Sequence, residues 1–258
     1  MDELLPQFST LLLIFVRLST FFVTLPFFSY RTIPARHRLT LALILAWMMY
    51  YTFDLPPMEI DGHYYYLLIK EALVGLLIGF VANMIVSIIQ IAGGFIDFQM
   101  GFAIANVIDP QTGVQSPLIG QYLYTFALLF LLSVNGHHLI LDGIFYSYQF
   151  VPLSASFAGF GESSLAEFVI KTFSSLFVVA FQMAVPVVAS LFLVDVALGI
   201  TARTVPQLNV FVVGFPIKIG VSFIVLLIVM GIMMSLVREL FETMFYTMRT
   251  VMELIGGA

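Results

Sequence analysis

Cysteine is absent from the 258 residues, which removes disulfides, thiol nucleophiles and cysteine metal ligands. Charge is scarce too. Only 10% of residues are Asp, Glu, Lys or Arg, against about 25% in an ordinary soluble domain. Ten residues are basic and the formal net charge is −5, so no basic stripe exists to neutralise phosphates and nucleic acid is not an expected partner. No GxSxG, Walker or GxGxxG pattern stands in a setting that would use it, and enzyme chemistry has little support. His137 and His138 are adjacent and Asp142 follows, but no further ligand lies at useful spacing. Neither a metal nor another cofactor is expected.

What the chain has is apolar length. It is 61% hydrophobic with a mean hydropathy of +1.06, which marks a polytopic helical membrane protein, all-α in class. The start, MDELLPQFSTLLLIF, is acidic where a secretory signal is basic, so it is expected to be retained. Apolar runs cover Phe8 to Phe28, Leu39 to Phe53, Leu67 to Ile96, Tyr122 to Val134, Val169 to Ile200 and Asn209 to Val237. Leu139 to Pro152 is aromatic but weakly apolar. About six kinked helices are expected. Pro186 and Pro216 interrupt the two last runs and should bend them. Gly75 and Gly79 form a small-xxx-small face suited to close helix contact.

Arg17, Asp97, Asp195 and Lys218 fall at apolar depth, where each is costly unless paired or hydrated. Pairing with one another or with partner subunits is the simpler reading, and a proton or ion relay the sharper one. The segment 29–38 carries Arg31, Arg36, Arg38 and His37 without an acid, whereas 54–63 carries Asp54, Glu59 and Asp61 without a base. The positive-inside rule puts the first loop in the cytoplasm and the chain's start outside.

The segment Gly93 to Pro117, GGFIDFQMGFAIANVIDPQTGVQSP, is the most informative. It sets Asp97, Gln99, Asn106 and Asp109 among Phe, Met and Ile. Polar groups of this kind do not face lipid, and a soluble loop is not this apolar. The composition suits a protein interior or a pore wall, where irregular backbone is tolerated. Gly93, Gly94 and Gly101 predict a kink or break around Asp97. Phe98, Met100 and Phe102 are soft apolar side chains of the type that closes a constriction.

IDFQMGFAIANVIDPQTG, then NGHH, then DVALGITARTVPQLNVFVVGFPIKI resemble the FliR family of flagellar biosynthetic proteins, whose wider membership includes injectisome export-gate subunits of type III secretion. The likeness covers essentially the whole chain and is most specific from Asp195 to Ile219. It implies one FliR-type export-gate domain over 1–258. Residues 1–160 would be a FliP-like part and 161–258 a FliQ-like helical hairpin, its helices running from about Leu165 to Leu254. It implies assembly with FliP and FliQ, in a complex around which FlhB and FlhA act. The assembly would sit in the cytoplasmic membrane at the flagellar basal body and pass unfolded flagellar proteins. The resemblance also implies a plug in the loop Asn106, Asp109, Pro110, Gln111, Thr112, Gly113, Val114, Gln115, Ser116 and Pro117, with Phe98, Met100 and Phe102 adding to the constriction. Arg203 and Pro206 would lie at the cytoplasmic turn of the hairpin. Two alternatives stand beside this: an injectisome gate subunit, and a secondary transporter or small-molecule channel, which the charges at apolar depth and broken helices favour.

Overall fold

The computed structural model describes residues 4–26, 28, 33–53, 58–102, 117–154, 163–207 and 209–257. Among these residues the chain is helical, with no strand. In order the helices are α1 (Leu4–Thr24), α2 (Ala35–Thr52), α3 (Gly62–Met100), α4 (Leu118–Ser133), α5 (Gly136–Phe150), α6 (Ser163–Thr204) and α7 (Val210–Gly256). That is seven where about six were expected, because α5 folds as a helix of its own. It is separated from α4 by Val134 and by Asn135 in the left-handed region at φ 57°. Helices α3, α6 and α7 are long and apolar enough to cross a membrane, and α4 with α5 resembles one broken span.

The chain divides into two compact units. Unit 1 takes 1–84, 134–172 and 242–258. Its α1 lies so close to α3 that a Cβ on Gly75 would strike the Arg17 carbonyl, and one on Gly79 would lie 2.8 Å from the carbonyl of Phe21. The small-xxx-small face is therefore in use, against α1. Hydroxyls on α1 return to their own backbone: Thr20 donates to Val16 and Arg17, and Thr24 to Thr20 and Phe21. These bonds leave no unsatisfied polar atom in an apolar setting. Buried Leu13, Phe21, Ala46, Val74, Ile78 and Ile144 form the core of this unit.

The end of α7 also belongs to unit 1. The apolar run ends at Val237, but the helix continues because Leu240, Phe241, Met244, Met248, Val251 and Ile255 recur at helical spacing and are buried.

Unit 2 takes 85–133 and 173–241. Here the expected break at Gly93–Gly94 is absent, and α3 runs unbroken to Met100. The glycines have another use. A Cβ on Gly93 would strike the backbone of Gly120 in α4, and one on Gly120 would lie 2.8 Å from the Gln90 carbonyl. Close backbone approach offsets the helical cost of glycine, about 1 kcal/mol per residue. Helices α6 and α7 run through Pro186 and Pro216. They lie antiparallel: Asp195 meets Lys218, and Leu198 is nearest Gly214, one turn closer to the connection.

Candidate functional site

In unit 2 the polar residues of the Gly93–Pro117 segment find defined partners. Asp97, buried near the end of α3, accepts the Ile119 N–H at 3.0 and 3.2 Å. Ile119 is in the first turn of α4, where backbone donors lack helical acceptors. Asp97 thus acts as an N-cap delivered from another helix, and its charge suits the positive end of the α4 dipole. Nothing in the sequence linked Asp97 to this donor 22 residues on.

Asp195 on α6 pairs with Lys218 on α7 at 2.5 Å. The Gln99 side chain on α3 donates to Asp195 at 2.9 Å, and Lys218 donates to the Gln99 carbonyl at 3.4 Å. These residues border a cleft of about 520 Å³ walled by Met100, Leu198, Phe211 and Phe215. The three apolar residues read as a constriction diverge: Phe98 is 73% exposed, Met100 is fully buried, and the Phe102 ring meets Phe215 edge-on at 6.3 Å. Of the plug residues, Asn106, Asp109, Pro110, Gln111, Thr112, Gly113, Val114, Gln115 and Ser116 lie outside the described residues. Pro117 is described and stands beside Gly94 and Gly120 at the entry to α4. Arg203 is exposed in the last turn of α6, where a cation suits the helix dipole. Pro206 is exposed in the connection to α7.

Unit 1 contains a second polar cluster, sealed from water. Arg17 donates to Glu71 at 2.5 and 3.0 Å, to Ser147 at 3.1 Å and to the Val151 carbonyl at 2.8 Å. Its guanidinium also lies 4.0 Å from the centre of the Tyr148 ring. Lys70 pairs with Glu71 at 2.9 Å and donates to the carbonyls of Pro152 and Leu153 at 2.9 and 2.8 Å. Two buried cations thus share one carboxylate, and the carbonyls at the end of α5 take their remaining protons. Lys70 and Glu71 were visible in the sequence at the start of an apolar run. Their pairing with Arg17, 54 residues away, had no local signal. His137 and His138 stack at 4.0 Å, and among the described residues no group of three ligand-type side chains could hold a metal.

A helical membrane protein whose polar groups serve pairing and capping is the class that fold and site define. The family model of the bacterial export proteins, family 1, matches residues 8–244. The flagellar biosynthetic protein FliR of Bacillus subtilis is 60% identical over 228 residues, 88% of each chain. The surface presentation of antigens protein SpaR of Shigella sonnei is 31% identical over 207 residues, 80% of this chain and 78% of its own. The Yop proteins translocation protein T of Yersinia pestis is 32% identical over 173 residues, 67% of this chain and 66% of its own. The chain belongs to the FliR family of bacterial export proteins, and is a component of a type III export apparatus.

Proposed function

We propose that the chain is a structural channel subunit of the flagellar export gate, acting by assembly and not by catalysis. With FliP and FliQ homologues it would form the pore through which unfolded flagellar subunits cross the cytoplasmic membrane at the basal body, with FlhB and FlhA acting around it. The loop from Asn106 to Pro117 would close the empty channel, with Phe98 and Phe102 at its entrance.

One observation carries the need for partners. The exposed apolar residues of α6 in unit 2 run from Phe173 through Phe181 and Phe192 to Ile200. That stretch is about 40 Å long at helical rise, against a hydrocarbon core of about 30 Å. The antiparallel α7 adds Phe211, Val212, Ile224, Leu227, Ile228 and Ile232, all exposed. Lipid covers part of such a surface, and protein helices suit the rest. The flagellar branch is favoured over the injectisome by 60% identity against 32% and 31%. A small-solute carrier loses its main support, because Arg17, Asp97, Asp195 and Lys218 are each engaged within the chain.

Purification of the tagged protein from membranes, with mass spectrometry of what accompanies it, tests the assembly. FliP and FliQ homologues are expected; a stable protein recovered alone would overturn the reading. Deleting Pro110 to Ser116 tests the plug. The expected result is an intact complex that leaks ions, and an assembled but tight one would remove that role.

A further inference from the structure

The last turn of α3 is gripped from α6 and α7 in a way that plugging alone does not require. The Gln99 carbonyl is among the final four of α3, which have no acceptor role inside the helix. Lys218 donates to it, and a cation at that end also suits the helix dipole. The Gln99 side-chain amide donates to Asp195, and Asp195 pairs with Lys218, so three side chains from three helices close a ring. Just beyond it the chain turns at Gly101, φ +90°, where a Cβ would lie 2.9 Å from the Phe215 ring. The Phe102 ring then meets Phe215.

This ring differs from the cluster around Arg17 in one respect. Arg17 and Glu71 have no exposed side-chain surface, whereas Asp195 is 38% and Lys218 20% exposed, beside the open cleft. Water can replace contacts in the second site at small cost, and those in the first only at large cost. The Lys218–Gln99 bond is also long, at 3.4 Å.

We propose that Asp195 and Lys218 are positioning residues forming a releasable latch on Gln99. At rest they hold the end of α3, and with it the root of the segment that follows Phe102; during export they let it go. The inference rests on the gate reading of that segment.

The conductance of the membrane complex, assembled with its native partners, tests this in three forms: unaltered, Gln99→Leu, and with 110–116 deleted. Gln99→Leu keeps the backbone carbonyl and removes the side-chain donor. It should assemble and raise the resting leak about tenfold, as expected for loss of one hydrogen bond to a charged group. A Gln99→Leu complex as tight as the unaltered one, beside a leaking deletion, overturns the latch and leaves the gate standing. A tight deletion complex overturns the gate instead. A second arm does not depend on Gln99→Leu assembling. In this cysteine-free chain, Phe102→Cys with Phe215→Cys can be bridged by oxidation or a short thiol cross-linker. Bridging should stop subunit secretion, and reduction of the oxidised form should restore it. Undiminished secretion by the bridged complex overturns the proposal.

Discussion

Arg17 and Glu71 meet through two hydrogen bonds, at 2.5 and 3.0 Å, with neither side chain exposed to water. They join α1 to α3 deep in unit 1. Lys70 shares the same carboxylate, so Glu71 holds two cations that would otherwise repel. Glu71→Ala should therefore destabilise the protein by about 3–5 kcal/mol, the usual result of stranding a buried charge. Quantifying the protein in membranes by immunoblot, against unaltered chain, checks this; wild-type abundance would count against the pair's structural role.

Asp97 makes a different prediction, because its partner is a backbone N–H and not a cation. Asp97→Asn retains an acceptor oxygen and should fold nearly as well as the native chain. Asp97→Ala loses the cap of α4 and should cost about 1–2 kcal/mol. Thermal denaturation of the purified complexes separates them. If Asn is as damaging as Ala, the charge matters beyond capping.

Gly75 allows the α1 and α3 backbones to touch. Gly75→Val puts two further carbons where the Arg17 carbonyl stands, and should cost at least about 1–3 kcal/mol through strain. Gly231, with nothing within 4 Å of its added Cβ, is the internal control. Gly231→Ala should leave the chain's own stability unchanged or raised by about 1 kcal/mol. Thermal midpoints of the two variants give the comparison.

Ile228 is exposed on α7 and contributes nothing to the buried core. Ile228→Glu should leave the fold intact and block recovery with FliP and FliQ homologues. Co-purification at unchanged yield would show that this face meets neither partner.

The membrane class, the long helices and the small-xxx-small face were legible because each depends on local composition or spacing. The charged residues at apolar depth were equally visible, but their partners were not. Arg17 finds Glu71 and Lys218 finds Asp195 only after helices distant in sequence pack. Gly93 illustrates the limit from the other side. Its tendency to break a helix is intrinsic, yet the close approach of Gly120 gives it a role inside one. The last turns of α7 were missed because charged residues such as Arg249 and Glu253 dilute the apolar run, although the buried residues keep helical spacing.

The end of α7 also sets a schedule for folding. Unit 1 joins the first 84 residues to those from Glu242 onward, and Gly256 fits directly against the Phe150 carbonyl. Segments made first must therefore wait for segments made last, through the synthesis of nearly the whole polypeptide. A chain whose translation stops early leaves α1 and α5 without their closing surface. Unfinished copies are thus marked for removal by exposed packing faces, before they can compete for a place in the apparatus.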